Sequence, residues 1–297
     1  MAIDERADPA DYRDDPSAAD ERDHFGRRLG AAELLADADR PSGWVLLIDR
    51  VRQSYVDLND PTYLDFEYMR TLADVIDAVD PGPLAVTHVG GGAGTLARYI
   101  ATTRPGSSQI ILEPDEALTA LVRARLPFPR GARIRIRPVG GRDGVAALGE
   151  GSADIVILDA FHGARVPAEL TTSEFVAEVV RVLRPGGLLL VNIADGPPLT
   201  YVRRLLATIR AQLPEVLLVG DAGVLRGRRF GNLEIAASRT SLPTEAVVRA
   251  AAGAMFPLRV VHGSALAELI GRARPLTDAD PLRSPAPPEE IWRVPRD

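Results

Sequence analysis

From Leu84 onward, short apolar runs alternate with segments in which apolar residues recur at helical spacing. The runs Ile155–Leu158 and Leu188–Val191 are apolar at every position, which is typical of parallel strands covered on both faces. At least five strand–helix steps follow one another before Ala237. The pattern therefore predicts an α/β fold with a doubly wound, mostly parallel sheet of seven strands.

The region before this alternation predicts a small β unit. Residues 31–58 contain three short runs with strand character, which are too few to form a stable sheet alone. The segment Asn59–Pro61 is predicted to cap the next helix. We therefore expect a small antiparallel unit over residues 24–60 and a Rossmann-like domain over residues 61–274.

Both ends of the chain differ in composition from the middle. Residues 1–23 hold nine acidic residues and three arginines with almost no large apolar side chain, which predicts a disordered acidic tail. Residues 275–297 contain six prolines, and we expect an extended C-terminal tail. The acidic start has no apolar run behind it, so neither a secretory signal nor a membrane span is expected, and we predict a cytoplasmic protein.

The residue types that are missing exclude several chemistries. The chain has no cysteine, which excludes disulfides, thiolate metal sites and cysteine catalysis. All 35 basic residues are arginine, so a Schiff-base or P-loop lysine is excluded too. The four histidines show no spacing that would bind a metal. After residue 23 the chain has 32 acidic residues and 32 arginines, and this neutral body makes a nucleic-acid partner unexpected.

A glycine-rich turn joins the first strand of the alternating region to a helix. Glycines 90, 92 and 94 form a G-x-G-x-G pattern that suits a ligand-binding turn, because glycine lets a ligand approach the backbone closely. Thr95 departs from the G-x-G-x-x-G pattern of dinucleotide sites. The alternative is a tight turn with no ligand.

Two acidic residues follow strands of the predicted sheet. Glu113 lies about 20 residues after the glycines, where a carboxylate can accept hydrogen bonds from both hydroxyls of a ribose. Asp159 ends a later strand, where it can take the proton of an amine. The alternatives are a solvated strand end for Glu113 and a loop cap for Asp159. His88 lies inside an apolar strand and is predicted to be a core residue.

Several segments, in this order and spacing, carry a resemblance to a known family. They are Gln53–Leu58 with Phe66–Tyr68, Val89–Gly94, Leu112–Asp115, Val156–Phe161 with Thr171–Phe175, and Leu183–Gly187. Through them the region from about residue 43 to residue 237 resembles the spermidine synthase-like branch of the class I S-adenosylmethionine-dependent methyltransferase superfamily.

The resemblance implies a donor, a product and a set of site residues. The donor is S-adenosylmethionine or its decarboxylated form, and aminopropyl transfer leaves methylthioadenosine. Asp159 corresponds to the aspartate that deprotonates the attacking amine. The residues implied to bind the donor are Gly90, Gly92 and Gly94 along its pocket, Glu113 at the ribose, Gln53 near the thio-nucleoside, and Asp143 on the adenine side at a shifted position.

The sequence departs from the family at two positions that concern charge. Ala93 stands where aminopropyltransferases have an aspartate that pairs with the aminopropyl ammonium, so that Ala93→Asp is expected to restore this partner. The loop Asp159–Gly163 lacks the family's second carboxylate for the diamine. Two hypotheses stay open: a transferase that moves an aminopropyl or methyl group to a small amine such as a polyamine, and a non-catalytic nucleoside-binding or interaction protein. Family members commonly form dimers, so a homodimer is expected.

Overall fold

The computed structural model describes residues 32–256 and 258–288. The strands are β1 Ala32–Ala36, β2 Gly43–Ile48, β3 Val51–Asp57, β4 Ala85–Val89, β5 Ser108–Leu112, β6 Arg133–Arg137, β7 Ala153–Leu158, β8 Leu183–Asp195, β9 Glu215–Asp221, β10 Gly231–Ser238 and β11 Leu258–His262. The α-helices are α1 Glu67–Asp77, α2 Thr95–Thr103, α3 Glu116–Arg125, α4 Gly141–Ala146, α5 Ser173–Val182, α6 Thr200–Arg210, α7 Ala222–Leu225, α8 Thr244–Gly253 and α9 Gly263–Ile270. None of these helices has the length and apolar character needed to cross a membrane.

The first three strands form the predicted small antiparallel sheet, in the order β1-β2-β3. Leu46 and Val56 of this sheet share one apolar cluster with Leu118 and Val122 of α3. A three-stranded sheet becomes stable when it buries one face in this way. The contact therefore attaches the N-terminal unit to the main domain.

The large sheet has the order β11-β9-β10-β8-β7-β4-β5-β6. Strands β4 to β8 pair in parallel, and β9 runs in their direction because β10 lies antiparallel between β8 and β9. The α/β class and the mostly parallel sheet are confirmed. The predicted number of seven strands is wrong, because β11 pairs antiparallel with β9 as an eighth strand. Its residues are not fully buried, so it lacks the apolar run by which the other strands were predicted.

Both faces of the large sheet are covered, as the continuous apolar runs indicated. In β7, Ile155 and Ile157 pack into a cluster with α1 and α2, whereas Val156 and Leu158 pack into a cluster with α5 and α6. Successive side chains of a strand point to opposite faces, so a strand between two helical layers must be apolar throughout. The two helical layers hold the sheet between them, and the carboxyl ends of its parallel strands lie along one edge.

The helix α1 begins later than the sequence predicted. The carboxylate of Asp57 accepts hydrogen bonds from the backbone N–H groups of Asn59 and Asp60, at 2.9 and 3.1 Å. The carboxylate of Asp60 accepts one from the N–H of Thr62 at 3.2 Å. These bonds form turns in place of a helix. The helix consequently starts at Glu67.

The C-terminal segment lies against the main domain as far as it is described. Leu276 is fully buried, and Arg204 donates hydrogen bonds to the carbonyls of Arg274 and Pro275, both at 3.0 Å. Ser284 accepts a hydrogen bond from the N–H of Val166 at 2.8 Å. Residues 275–288 contain no helix or strand, and the rest of the predicted C-terminal tail, residues 289–297, lies outside the described residues. The acidic segment 1–23 lies outside the described residues.

Candidate active site

The glycine turn between β4 and α2 has left-handed backbone at all three predicted positions. The φ angles of Gly90, Gly92 and Gly94 are 102°, 47° and 71°. A side chain at position 90 would collide with the backbone of Asp159, and one at position 94 would lie 2.8 Å from the ring of Phe128. Only glycine suits such positions without strain. The glycines thus allow a sharp turn that packs against the end of β7.

The N-terminal unit holds this turn through β3. Ser54 accepts a hydrogen bond from the N–H of Ala93 at 3.2 Å, and Thr95 donates its hydroxyl to the carbonyl of Tyr55 at 2.9 Å. Ala93 is fully buried in the apolar cluster between β2, β3 and α3. The expectation that a side chain at position 93 meets the amino end of the donor is therefore wrong for this chain, because its Cβ lies in the core.

Glu113 directly follows β5, and its carboxylate faces the glycine turn. One oxygen, Oε2, accepts the N–H of Gly91 at 2.9 Å, and the other, Oε1, accepts the N–H of Asp115 at 2.9 Å. Burial raises the pKa of Glu113, and these backbone hydrogen bonds oppose the rise. Each carboxylate oxygen can accept more than one hydrogen bond, so capacity for a ligand remains. The structure brings together the acid and the turn that the sequence pointed to.

Asp159 lies at the end of β7 between two side chains that hydrogen-bond its carboxylate. Asn192 of β8 donates its amide Nδ2 to Oδ1 at 2.8 Å, and Tyr68 of α1 donates its hydroxyl to Oδ2 at 3.4 Å. Burial raises the pKa of Asp159 to about 6, against the lowering effect of the two hydrogen bonds. A carboxylate in this state is ionised at neutral pH and can accept a proton.

A cavity of about 500 Å³ opens beside Asp159, on the side of β8, β9 and β10. Both partners of Asp159, Tyr68 and Asn192, line it, and so does Gln53 of β3. Asp159 itself lines a second cavity of about 20 Å³ beneath the glycine turn, together with Gly90 and Gly94. Asp159 therefore stands between the glycine turn and the larger cavity, whose volume is in the range of small-molecule sites.

The strand register places three polar residues in a row across the sheet. Leu158 of β7 is paired with Val191 of β8, so the next residues, Asp159 and Asn192, lie side by side. Asn192 is in turn paired with Glu234 of β10. Glu234 is only 4% exposed and lines the large cavity, and burial raises its pKa to about 8. The row begins with Asp159, beside the glycine turn, and continues with Asn192 and Glu234 in the wall of the large cavity.

Sequence reasoning gave no role to Tyr68, Asn192 or Glu234. The available signal was that Asn192 and Glu234 are polar residues next to apolar residues of predicted strands. A polar residue at such a position is costly to bury unless it has a partner or a task. Their adjacency depends on the pairing of β8 with β10, which periodicity does not reveal.

Asp143 does not join the other predicted site residues. It is exposed in the first turn of α4 and lines neither cavity, while its neighbour Arg142 pairs with Asp278. The side chain of His88 contacts Gln109 at 2.8 Å, and burial lowers its pKa to about 4, so it is a neutral core histidine. Within the described ranges no cluster of metal-ligating side chains is present.

Comparisons with known proteins agree with this geometry. The sequence family described as "Methyltransferase domain" matches residues 87–191. The polyamine aminopropyltransferase of Chromobacterium violaceum is 28% identical over 192 residues, which cover 64% of this chain and 69% of that protein. The human methyltransferase-like protein 13, solved in complex with SAH, shares the fold, with 19% identity, a TM-score of 0.51, and coverage of 72% of this chain and 96% of that one.

A solved structure shows the family more directly. The structure of a probable spermidine synthase from Corynebacterium glutamicum is 31% identical, with a TM-score of 0.79. The similarity covers 90% of this chain and 96% of that one. The chain therefore belongs to the spermidine synthase-like family of proteins with the class I methyltransferase fold.

Proposed function

We propose that this protein transfers an aminopropyl group from decarboxylated S-adenosylmethionine to a primary amine, with Asp159 as the base. The position of Asp159 carries the proposal. Its carboxylate is held by Asn192 and Tyr68 between the glycine turn and the cavity of about 500 Å³. In this proposal the donor lies at the turn and the acceptor enters from the large cavity, whose wall includes both hydrogen-bond partners of Asp159.

The residues at the glycine turn fit an adenosyl donor. The carboxylate of Glu113 lies against the turn and can accept hydrogen bonds from the two ribose hydroxyls. On the other side of the turn, Gln53 of β3 lines the large cavity. A protein of the same fold, the human methyltransferase-like protein 13, was solved with SAH, which supports a donor of this class.

The residues of this chain supply alignment and a proton acceptor. The donor provides an electrophilic carbon bonded to a positively charged sulfur. The lone pair of the amine forms the new C–N bond, the electrons of the C–S bond stay on sulfur in methylthioadenosine, and the proton of the nitrogen passes to Asp159. Because the pKa of Asp159 is about 6, the carboxylate is ionised at pH 7 and ready to accept this proton.

Methyl transfer from S-adenosylmethionine is a second candidate, and one observation favours it. Ala93 is buried in the core, so this position supplies no carboxylate to pair with the aminopropyl ammonium. Intact S-adenosylmethionine carries its own carboxylate beside that ammonium. The glycine turn would therefore accept intact S-adenosylmethionine, because the ammonium of this donor does not depend on a carboxylate of the protein.

Product analysis separates these reactions. The purified full chain is incubated with either donor and a series of primary amines, and the nucleoside products are measured by chromatography and mass spectrometry. We expect methylthioadenosine only with the decarboxylated donor and an amine together. Formation of S-adenosylhomocysteine with the intact donor would show methyl transfer and would contradict the proposed aminopropyl transfer.

The same samples test the non-catalytic hypothesis. Calorimetry with methylthioadenosine measures nucleoside binding without turnover. Binding without any product from either donor would make the protein a nucleoside-binding descendant of the family. Absence of both binding and product would overturn the proposed function.

A further inference from the structure

Six arginines around the end of α3 and along β6 form a local excess of positive charge, which we call the arginine surface. They are Arg123, Arg125, Arg130, Arg133, Arg135 and Arg137. Between Glu116 and Asp143 the chain has no acidic residue, and the one further arginine there, Arg142, pairs with Asp278. Because the chain after residue 23 is neutral as a whole, this segment differs from the rest of the body.

Strand β6 places half of this charge at an edge of the large sheet. Within the described part of the chain, it pairs with β5 alone. Arginine alternates with isoleucine along β6, so Arg133, Arg135 and Arg137 project from one face at intervals of about 7 Å. An edge strand also leaves backbone N–H and C=O groups without a strand partner. Strand β6 therefore offers both charge and backbone hydrogen bonds to another length of chain.

The arginine surface has no acidic partner among the described residues. None of its six side chains forms an ion pair or a hydrogen bond there, and Arg125 instead lies 5.8 Å from the ring centre of Trp44. By contrast, Arg184 of β8 donates to both carboxylate oxygens of Asp154 at 2.8 Å. Unpaired like charges that lie close together repel one another. An acidic partner would therefore stabilise the arginine surface.

Residues 1–23 of the same chain have the composition that such a partner needs. They hold nine acidic residues against three arginines. A guanidinium group binds a carboxylate through two parallel N–H donors, which makes arginine well suited to an acidic segment. A segment tethered to its binding surface by a short linker also has an effective concentration in the millimolar range. A separate polyanion must compete with it.

The tether is long enough for the segment to reach the arginine surface. The described chain begins at β1, and Ala32 packs against the apolar cluster that contains Leu118 and Val122 of α3. From this cluster the surface begins within the length of α3, which is about 15 Å for its ten residues. Residues 24–31 can span up to about 26 Å when extended. The acidic segment can therefore contact the arginines of its own chain.

We propose that residues 1–23 bind the arginine surface of the same chain, along the outer side of β6, and shield it from other polyanions. None of the six arginines lines either cavity beside Asp159. The docking is therefore independent of the proposed function and leaves the candidate active site open. The simpler role of charges on an edge strand is to keep strands of other molecules away, and in that case the acidic segment stays unbound.

Distances between two spin labels test the docking in the full chain. The natural chain has no cysteine, so Ser17→Cys in the acidic segment and Ala120→Cys on the exposed side of α3 provide two unique labelling sites. We expect a narrow distribution of distances between the labels at low ionic strength. In 1 M sodium chloride, where the screening length falls to about 3 Å, the distribution should broaden.

A variant of β6 and a matched control locate the contact. The variant combines Arg133→Gln, Arg135→Gln and Arg137→Gln. It should lower the ratio of docked to free segment by about 3-fold or more, which is the effect of losing three exposed ion pairs. The control removes three exposed arginines of α6, of α8 and after β10, and it should keep the narrow distribution. Its substitutions are Arg210→Gln, Arg249→Gln and Arg239→Gln.

Binding of heparin, measured by calorimetry, shows whether the surface is shielded. A variant of the segment combines Asp11→Asn, Asp14→Asn and Asp15→Asn, and it leaves the residues of the folded body unaltered. Because the weakened segment competes less, this variant should bind heparin about 3-fold or more tightly than the natural chain. The control neutralises three exposed acids elsewhere and should bind heparin as the natural chain does. Its substitutions are Glu150→Gln, Glu215→Gln and Glu245→Gln.

Each contrary result overturns the proposal. A broad distribution at low ionic strength excludes docking, and so does a narrow one that survives the loss of the three arginines of β6. If the narrow distribution disappears when the labelled chain is diluted with unlabelled chain, the segment binds a second copy instead of its own. Equal heparin affinity of the natural chain and the variant of the segment shows that the surface is open.

Discussion

Asn192 donates its amide Nδ2 to the carboxylate of Asp159 at 2.8 Å, and its own Oδ1 has no hydrogen-bond partner among the described residues. One side chain thus orients the candidate base and offers an acceptor to the neighbouring cavity. The second hydrogen bond to Asp159, from the hydroxyl of Tyr68, is longer at 3.4 Å. The geometry of the base is therefore set mainly across the β7–β8 pair.

Replacing the base tests its role. Asp159→Asn keeps the shape of the side chain but cannot take up a proton, so we expect the rate of group transfer to fall by about 10²- to 10⁴-fold. The affinity for methylthioadenosine should stay the same, because Glu113 and the glycine turn are untouched. Steady-state kinetics and calorimetry measure the two quantities, with Glu245→Gln as control. Equal losses of rate and affinity would show that Asp159 acts in binding.

The pH dependence of kcat/KM reports the ionisation of Asp159 in the free protein. The activity should rise with pH through an acid limb near 6, because only the ionised carboxylate is a base. The hydrogen bond from Asn192 favours the ionised form, so Asn192→Ala should move the limb to higher pH. Tyr68→Phe should move it less, because its bond is longer. An acid limb that does not respond to Asn192→Ala would contradict the positioning role.

The ionisation of Glu234 should make the protein less stable at high pH. Its pKa is about 8 in the folded state, above that of an ordinary glutamate, so the folded state holds the proton more tightly than the unfolded chain. The ionisation of Glu234 costs no stability in acid. Its cost grows as the pH rises from the pKa of an ordinary glutamate toward the higher pKa of Glu234 in the folded state. Glu234→Gln should therefore raise the free energy of unfolding by about 1–3 kcal/mol at pH 8.5 and by little at pH 5. Denaturant titrations at both pH values measure this, and an equal effect at both would exclude ionisation as the cause.

We expect a charged side chain at position 93 to destabilise the protein, as it would at any buried core position. Ala93 is fully buried beside Leu46, Val56 and Leu118. Ala93→Asp should lower the free energy of unfolding by about 3 kcal/mol or more, because it places a carboxyl in apolar surroundings. Ala117→Asp, on the exposed first turn of α3, is the matched control and should have little effect. Unchanged stability of Ala93→Asp with tighter binding of the decarboxylated donor would show that the position faces the ligand.

Glu113 and Asp115 allow ligand binding to be separated from helix capping. Glu113→Ala should weaken the affinity for methylthioadenosine by about 10-fold or more, because it removes a charged acceptor. Asp115 accepts the N–H of Leu118 at 2.8 Å, so Asp115→Ala should cost about 1 kcal/mol of stability with no change in affinity. Calorimetry and thermal unfolding measure both variants. An unchanged affinity in Glu113→Ala would contradict ribose binding.

Local signals predicted the elements closest to the glycine turn. The helices α2 (Thr95–Thr103) and α3 (Glu116–Arg125) begin directly after the glycine turn and shortly after Glu113. A glycine with left-handed backbone precedes the first helix, and the Asp115 side chain caps the second. Interactions within a few residues set these bounds, so sequence reasoning reached them. The start of α1 was mispredicted, because Asp57 in the preceding strand binds the amides that a helix cap would otherwise use.

The amino-acid sequence by itself determined the α/β class, the small antiparallel unit, the glycine turn and the acid beside it, since each depends on residue period or local backbone. Only the tertiary structure decided which way Ala93 points and that Asp159, Asn192 and Glu234 form one row. The row depends on the register of two strand pairs, one parallel and one antiparallel. Strand register follows from the packing of both sheet faces, which no single segment of the chain contains.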